Sequence, residues 1–355
     1  MSVALAFCGA DEEAELRAFL DAHWRRDHVF VRVPELLRFQ HRDRHAGDRL
    51  NFVVARDAGR MVGALGFIPF QHYGEAEGPL DLCLAIWKVR EGVPGLGLAL
   101  LKFLRGRLRP RLIAAFGLSD VVLPIYRALG YHVGVADHHV LFHPGAPDEG
   151  IARRAGAPGV RGRDAAGWAL RDLDLADQAL GRELVGVPHK PAGYLRHRFA
   201  EHPWYRYGAS GVFEGRALRA LVVWRRNQAN ERSCLRAVDL WGDEAALARV
   251  PGGLARLLER EGADYVDLVH HGVDGAALAA AGFVDRRAHE GLVLPIYFEP
   301  FERRNVDLTF SVKAPKGVGP VRLFRGDSDQ DRPNLLAATV ARPARPSVDV
   351  AAASA

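Results

Sequence analysis

The two halves of this 355-residue chain carry the same structural signals in the same order. In each half, a hairpin pattern with glycine in the turn precedes a strand, an amphipathic helix, another strand and a short helix. The hairpin glycines Gly59 and Gly215 are 156 positions apart, and the glycines ending the short helices, Gly130 and Gly282, are 152 apart. This near-constant spacing predicts two tandem copies of one α/β unit.

Local patterns place the individual elements of each copy. The first copy is predicted to contain helices at 14–24 and 33–42, a hairpin turning at 57–60, a strand at 80–89, a helix at 98–108, a strand at 111–119, a short helix at 122–130 and a closing strand at 131–142. The second copy is predicted to contain a hairpin at 211–225, a strand at 234–242, a helix at 246–260, a strand at 264–272 and a helix at 275–283.

Composition excludes several classes of protein. The hydrophobic fraction of 48% and charged fraction of 26% are typical of a globular protein. No apolar run reaches the roughly 18–20 residues that span a bilayer, and the N-terminus lacks the basic region of a secretory signal, so we expect a cytoplasmic protein with no membrane partner. The three cysteines form no CxxC pair, which argues against a disulfide or zinc framework, and no metal is expected. The net charge of +5 comes from scattered arginines, a pattern that favours small phosphorylated ligands over nucleic acid.

A glycine-rich loop between a strand and a helix is the first candidate site. It contains Gly92, Gly95 and Gly97, which allow close backbone approach, and it opens a helix whose first N–H groups are free to bind an anion. The loop lacks the lysine of a P-loop and does not complete a GxGxxG motif. Taken alone, it is equally well explained as a tight turn.

The order strand, glycine loop, long helix, strand and short helix with Tyr126 resembles the Gcn5-related N-acetyltransferase (GNAT) superfamily. The resemblance implies two GNAT-like domains, each a mixed, mostly antiparallel sheet flanked by helices, and acyl-CoA as co-substrate. In that superfamily the fourth strand splays from the fifth and pairs with the pantetheine arm, and the glycine loop holds the pyrophosphate. The implied cofactor-binding residues are Ile86, Trp87, Lys88, Val89, Gly92, Val93, Gly95, Leu96, Gly97 and Leu98. Tyr126 matches a tyrosine that often lies beside the thioester sulfur.

The second copy departs from this pattern, because Asp243, Glu244 and Ala245 replace the glycine loop. Two carboxylates repel a diphosphate. We therefore expect acyl-CoA in the first copy, and a degenerate second copy that binds the acceptor and forms the domain interface.

Further segments, including "YLRHRFAEHPWYRYG" at 194–208 and "GDSDQDRPN" at 326–334, give a closer resemblance to tandem acetyltransferase-fold proteins that acylate nucleotide-linked amino sugars. This resemblance implies transfer of an acetyl or 3-hydroxybutanoyl group from its CoA thioester to the amine of a dTDP-amino-dideoxy sugar, for O-antigen or capsule biosynthesis.

Direct attack of an amine on a thioester requires an oxyanion donor, a route for the amine proton and a donor for the thiolate. A backbone N–H of Ile86–Lys88 is the expected oxyanion donor, and Tyr126 is the expected thiolate acid. The polar aromatic cluster of His202, Tyr205 and Tyr207 is a candidate acceptor site or a domain interface. The candidate histidines are His23, His28, His72, His202, His270 and His271. Of these, His202 and His270 are predicted to be catalytic and His271 to bind substrate. An acyl-enzyme on Cys83 is disfavoured because no base adjoins it.

The segment "GDSDQDRPN" resembles a calcium loop but fails the EF-hand pattern, because position 6 counted from Asp327 is Arg332 rather than glycine. On an extended segment the three aspartates would point to one face. Carboxylates accept hydrogen bonds from sugar hydroxyls, and arginine binds phosphate. We expect the segment to line the acceptor site through Asp327, Asp329, Asp331 and Arg332; the alternative is a structural turn.

These interpretations give a first domain at 1–145, a Gly/Pro/Arg-rich linker at 146–164, a second domain at 165–312, a C-terminal segment at 313–340 and a disordered tail at 341–355. Small-molecule substrates are the expected partners, and a homo-oligomer is compatible with the sequence. The alternatives are a Fem-like aminoacyl- or peptide-directed transferase, a protein lysine acetyltransferase, and a non-catalytic metabolite-binding protein.

Overall fold

The computed structural model describes residues 3–181, 186–298, 300–328 and 330–331. Its strands form one sheet of seven strands and one of eight, and helices flank both. The predicted α/β class with two mixed sheets is confirmed. The tail predicted at 341–355 lies outside the described residues.

The first sheet has the strand order β1-β2-β3-β4-β5-β14-β6. Its neighbours pair antiparallel, except that β4 and β5 run parallel. The bounds of these strands are β1 Val3–Gly9, β2 Arg49–Asp57, β3 Arg60–Pro69, β4 Asp81–Val89, β5 Leu112–Phe116, β6 His132–Val135 and β14 Thr309–Lys313.

Helices cover both faces of this sheet. They are α1 Glu13–His23, α2 Val29–Arg32, α3 Pro34–His41, α4 Leu96–Leu108 and α5 Leu123–Ala128. Side chains alternate along β2: Phe52 packs with the buried leucines of α1 and α3, and Val53 packs with those of α4. This alternation buries β2 on both faces, which explains its continuous apolar sequence.

The second sheet has the order β13-β7-β12-β11-β10-β9-β8. The parallel pair here is β11 with β12, and a short strand, β15, also pairs with β12. The strands are β7 Asp137–Phe142, β8 Trp168–Leu173, β9 Gly208–Glu214, β10 Ala217–Ala229, β11 Arg232–Gly242, β12 Ala263–His271, β13 Val284–Asp285 and β15 Leu323–Phe324; the helices are α6 Pro251–Arg260 and α7 Gly275–Ala280.

The two sheets exchange one strand each. The stretch predicted as a single strand at 131–142 divides at the buried Ala136, whose N–H donates to the carbonyl of Leu308 at 2.8 Å. After this division, β7 crosses into the second sheet between β12 and β13, whereas β14 returns to the first sheet between β5 and β6. β7 therefore belongs to the second sheet although it lies within the domain expected at 1–145, and β14 belongs to the first sheet although it begins within the domain expected at 165–312. Each copy thus completes the sheet of the other.

A constant offset relates the two copies at their parallel strand pairs. The last pair of β4 with β5 joins Leu84 to Ala115, and the last pair of β11 with β12 joins Ala237 to Leu268, 153 positions later in both strands. The pairings of β3 with β4 and of β10 with β11 each shift register just beyond this point, so both β4 and β11 carry a bulge there. The predicted duplication thus extends to individual residues.

Two segments differ from their sequence-based predictions. The expected linker at 146–164 is packed, since Ile151 and Ala157 are fully buried and the N–H of Val160 donates to Phe142 O at 2.8 Å. The helix expected at 246–260 is a 3₁₀ helix over Glu244–Arg249 followed by α6, which begins at Pro251 because proline lacks the N–H that an interior helical position requires. Within the described ranges, no helix is long and apolar enough to cross a membrane.

Candidate functional site

The first copy contains an open cleft between β4 and β5. Pairing of the two strands ends at Leu84 and Ala115, yet β4 continues to Val89. In the described part of the chain, β4 pairs with β3 alone beyond that point, through Trp87, Lys88 and Val89. The edge of β4 that faces away from β3 is therefore available to a ligand that can pair with a strand.

The glycine loop follows this free edge and opens α4. Gly92 and Gly95 have φ values of +83° and +74°, and a Cβ at either position would meet nothing within 4 Å. The first turn of α4 begins at Leu96 and has no side-chain cap. The N–H groups of Leu96, Gly97 and Leu98 therefore form an uncapped, positively polarised helix end beside an exposed loop.

Gly97 has a different role from the other two glycines. A Cβ added there would lie 3.0 Å from the indole Nε1 of Trp87. The absent side chain allows the indole of β4 to pack directly on α4. Gly97 thus allows Trp87 to take its position, a packing role that the sequence did not indicate.

Tyr126 lies on α5 beside the same indole. Its ring is edge-on to Trp87 at 5.6 Å and to Tyr131 at 5.0 Å, and the residue is almost fully buried. Burial raises the pKa of its phenol far above the ordinary value. Tyr126 is therefore a neutral hydrogen-bond donor that packs against Trp87, in the part of β4 that lies beyond its pairing with β5.

The other predicted cofactor residues divide between the two faces of β4. Ile86 lies in the bulge and is fully buried among residues of α1 and α3. Val89 and Val93 pack on the opposite side with the residues of α4. Lys88 pairs with Ala64 of β3.

The corresponding cleft of the second copy is filled by the C-terminal segment. β15 pairs with β12 at two positions, Phe324 with His270 and Leu323 with His271. The segment then runs so close to β11 that a Cβ on Gly326 would lie 2.7 Å from the carbonyl of Val238. The chain itself thus occupies the space that is open in the first copy.

The loop after β11 also differs from the glycine loop of the first copy. Gly242 is held against the backbone of β10, where a Cβ would overlap the carbonyl of Arg219. The carboxylate of Asp243 accepts the N–H of Ala245 at 3.0 Å and so caps the following 3₁₀ helix. Glu244 accepts hydrogen bonds from Arg322 and from the N–H of Asp274. The second copy therefore has a side-chain cap on this helix, where the first copy has a glycine loop and an uncapped helix end.

Two predicted histidines lie in this second copy. The 153-residue offset aligns His270 with Gly117. His270 is fully buried, with Nε2 3.0 Å from Nδ1 of His139, and burial next to His139 lowers its pKa to about 3. His271 stacks on Phe310 with ring centroids 3.9 Å apart. His271 thereby contacts the first sheet, to which Phe310 belongs.

A second group of predicted residues does come together. His202 stacks on Tyr205 at 5.3 Å and lies edge-on to Tyr207 at 5.5 Å, and the Tyr207 hydroxyl donates to Asp331 Oδ2 at 2.5 Å. His202 also contacts Phe39 of the first copy, with centroids 4.8 Å apart. This interface cluster of His202, Tyr205, Tyr207 and Asp331 thus joins both copies and the C-terminal segment.

Two arginines complete the interface cluster, and sequence reasoning missed both. Arg198 donates to Asp331 Oδ1 at 3.0 Å and to the carbonyl of Gly326 at 3.1 Å. The Arg225 guanidinium lies 3.8 Å above the Tyr205 ring. Burial alone would raise the pKa of Asp331, but the two guanidinium charges lower it to about 2. Both oxygens of Asp331 are engaged, so it holds Tyr207 and Arg198 rather than presenting a free carboxylate.

Backbone contacts fix the tautomer of His202. Its Nδ1 accepts the N–H groups of Trp204 at 3.1 Å and Tyr205 at 2.9 Å, so the neutral ring carries its proton on Nε2. Burial and the nearby charge of Arg198 lower its pKa well below the ordinary value. His202 is therefore a hydrogen-bond donor and a weak base.

The "GDSDQDRPN" segment is not extended at its start. The Asp327 carboxylate accepts the N–H of Phe324 at 2.9 Å and turns Arg325–Asp327 into a 3₁₀ helix. Asp327 also faces Lys190 at 2.7 Å, and Lys190 is 2.5 Å from Asp239. Burial and the neighbouring Asp239 raise the pKa of Asp327 to about 6, against the opposing effect of Lys190.

Past this turn the segment reaches the first copy. A Cβ at Gly117, just past β5, would overlap the side chain of Gln330. The predicted residues Asp329 and Arg332 lie outside the described residues. Asp327 and Asp331 therefore have different surroundings, one in the second cleft and one in the interface cluster.

The comparison with solved structures identifies the fold. A GCN5-related N-acetyltransferase from Anabaena variabilis ATCC 29413 superposes with a TM-score of 0.54 at 12% identity, covering 88% of this chain and 72% of that one. A GCN5-related N-acetyltransferase from Kribbella flavida gives 0.53 at 15% identity, covering 88% and 71%. A probable N-acyltransferase from Enterococcus faecalis V583 gives 0.52 at 11% identity, covering 88% and 73%. The chain has a tandem GNAT fold.

At this level of identity, the GNAT likeness concerns the fold. No protein-family model and no curated protein matches the chain. The amino-sugar resemblance therefore stays a prediction. Among the residues that the structure describes, no group of three or more His, Cys, Asp or Glu side chains is arranged to hold a metal ion.

Proposed function

We propose that this protein is an acyl-CoA-dependent N-acyltransferase that binds acyl-CoA in the cleft of the first GNAT copy. The observation that carries the proposal is the contrast between two clefts related by the 153-residue offset. The first has a free β4 edge followed by a glycine loop and an uncapped helix end. The second is filled by β15 and capped by Asp243.

The residues of the first copy fit the chemistry of acyl-CoA. The free edge of β4 from Ile86 to Val89 offers backbone groups to the amides of pantetheine. The loop glycines Gly92 and Gly95, with Val93 between them, bring the N–H groups of Leu96, Gly97 and Leu98 within reach of a pyrophosphate. Acyl-CoA supplies an activated carbonyl carbon and a thiolate leaving group.

The chain provides the groups that this transfer needs. Backbone N–H groups of Ile86 to Lys88, at the β4 bulge and just after it, stabilise the carbonyl oxygen as it gains charge. The Tyr126 phenol stays protonated and donates to the sulfur as the C–S bond breaks. The acceptor nitrogen forms the new C–N bond and loses its proton to solvent. An acceptor amine with a low pKa suits this route, because His202 and His270 are both weak bases here.

The interface cluster is the proposed acceptor site. Phe39 and His202 connect it to the first copy, and Trp204 packs with the residues that surround the β4 bulge. Aromatic rings beside polar donors suit a sugar or a nucleotide base. On the sequence resemblance, the acceptor is the amine of a dTDP-amino-dideoxy sugar, and the acyl group is acetyl or 3-hydroxybutanoyl.

The test is a turnover experiment. Purified protein is incubated with acetyl-CoA or 3-hydroxybutanoyl-CoA and a panel of dTDP-amino sugars, sugar phosphates and lysine peptides, and the products are identified by mass spectrometry. Acylation of a nucleotide-linked amino sugar, slowed by Tyr126→Phe, is expected. Acylation of peptides alone would show that the acceptor is a lysine side chain rather than an amino sugar, while the protein would still be an N-acyltransferase. CoA binding without turnover of any amine would favour a metabolite-binding protein.

A further inference from the structure

A cavity of about 600 Å³ lies in the second copy, outside the proposed catalytic site. Its wall is formed by the connector at 186–195, the end of β11 with the loop after it, and the C-terminal segment around Phe324. By the 153-residue offset, Leu240, Trp241 and Gly242 of this wall correspond to Trp87, Lys88 and Val89. The cavity thus lies at the position equivalent to the end of β4 in the first copy, beside β15. Its volume suits a small organic ligand.

The walls combine aromatic rings with a cation. The ammonium of Lys190 lies 5.4 Å from the ring centroid of Tyr194, 5.5 Å from that of Trp241 and 5.3 Å from that of Phe324. All three rings line the cavity. An aromatic surface that already surrounds one ammonium is electrostatically suited to a cation.

The charges around the cavity are unequal. The two cations among the described lining residues are matched: Lys190 by the Asp239 and Asp327 carboxylates, and Arg322 by Glu244. Asp243 adds a further carboxylate at the rim of the cavity. This carboxylate is exposed to solvent and accepts a hydrogen bond from the N–H of Ala245. Among the residues that the structure describes, four carboxylates therefore face two cations, a balance that opposes the anionic groups proposed for the first copy.

We propose that this cavity is a second ligand site, specific for an amine-bearing molecule whose apolar body lies against Tyr194, Trp241 and Phe324 and whose ammonium faces Asp243. The second copy's groove thus suits a cation, whereas the proposed cleft of the first copy suits an anion. The site is separate from the first cleft, and the proposal does not depend on the acyltransfer reaction.

The test uses three probes that share a phenyl ring and differ in charge: 2-phenylethylamine, 2-phenylethanol and phenylacetate. Ligand-observed NMR titrations on the full-length protein measure their affinities. The amine is expected to bind about fivefold more tightly than the alcohol, as one ammonium–carboxylate contact in water would give, and phenylacetate should not bind. Saturating acetyl-CoA should leave the amine bound.

Two variants locate the site, and one serves as control. Trp241→Leu should abolish amine binding. Asp243→Asn keeps the helix cap, because asparagine is as good an N-cap residue as aspartate. This variant should bind the amine no more tightly than the alcohol. Asp172→Asn, at an exposed carboxylate of β8, should change nothing. Phenylacetate binding as tightly as the amine, undiminished amine binding in Asp243→Asn, or displacement of the amine by acetyl-CoA would each overturn the proposal.

Discussion

Arg198 and Asp331 form an ion pair of 3.0 Å between residues that are 3% and 2% exposed and 133 positions apart in the chain. The pair ties the C-terminal segment to the helical turn over Arg196–Ala200. It also positions Tyr207, which donates to the other Asp331 oxygen. The C-terminal segment is thus an integral part of the interface cluster.

Removing one partner of this pair should be strongly destabilising. In Arg198→Ala the buried Asp331 carboxylate loses its cation, and we expect the free energy of unfolding to fall by about 3–5 kcal/mol. Replacing both partners, as Arg198→Met with Asp331→Leu, should recover part of this loss, because the buried carboxylate is removed and only Arg225, which stays stacked on Tyr205, loses its counter-charge. Urea unfolding of the three proteins measures both effects. A double variant as unstable as Arg198→Ala would show that the loss does not come from an unpaired charge.

Tyr207→Phe separates acceptor binding from acyl-CoA binding. The change removes the hydroxyl, keeps the ring beside His202 and leaves Asp331 paired with Arg198. With the proposed sugar acceptor, we expect the kcat/KM for the acceptor to fall about 5- to 30-fold. This corresponds to the loss of one hydrogen bond between the acceptor and the Tyr207 hydroxyl, which is itself bonded to the charged Asp331. Acetyl-CoA affinity should not change. If the acceptor kcat/KM and the acetyl-CoA affinity fell equally, Tyr207 would have only a structural role.

Stability should decline on acidification from near neutrality. Burial lowers the pKa of His72 to about 4 and that of His270 to about 3, so both are uncharged in the folded protein. The unfolded chain binds these protons below about pH 6.5, and the free energy of unfolding therefore falls as pH drops from about 6.5 to 4. Asp331, with its lowered pKa, adds a further loss only below about pH 4.

The contribution of His72 can be measured by substitution. Its Nε2 lies 2.8 Å from the carbonyl of Phe39, a contact that glutamine can replace. His72→Gln should reduce the stability lost between pH 7 and 4 by roughly 2–3 kcal/mol, whereas the exposed His23→Gln should leave it unchanged. Equal pH dependence in both variants would contradict the assignment to buried neutral histidines.

The strand exchange should make the two copies unfold together. Phe310 of β14 is buried between the sheets, where it packs on Gly134 and stacks with His271. We expect Phe310→Ala to cost about 3–5 kcal/mol and to shift one cooperative transition. Val121→Ala, at a residue that is 82% exposed, should have an effect within about 0.5 kcal/mol. Two calorimetric transitions, of which only one responds to Phe310→Ala, would show that the copies unfold separately.

The sequence was informative where structure depends on neighbouring residues. The turn glycines Gly59 and Gly215 lie at positive φ as hairpins require, and the loop before α4 was found from its glycines. The duplication was visible because such local signals recur at a fixed spacing. The candidate sites were visible for the same reason, since a glycine loop and an aromatic cluster are short, contiguous patterns.

Long-range features were not predictable in this way. Nothing local to Ala136 indicates that the strand divides there and that its second part joins another sheet. Arg198 pairs with a residue 133 positions away, and no pattern near either residue signals the pairing. The extended conformation predicted around Asp327 is absent because its carboxylate caps the N–H of Phe324, a local contact that alternation alone does not exclude.

Calorimetric titration with acetyl-CoA measures whether a single cleft, that of the first copy, binds acyl-CoA. The offset supplies a matched pair of variants, because the exposed Arg90 of the first copy corresponds to Asp243 of the second. We predict one acetyl-CoA per chain, at least about tenfold weaker binding in Arg90→Asp, which introduces the second copy's carboxylate, and unchanged binding in Asp243→Asn. Two molecules per chain, no binding, or loss of binding in Asp243→Asn with retention in Arg90→Asp would contradict the account.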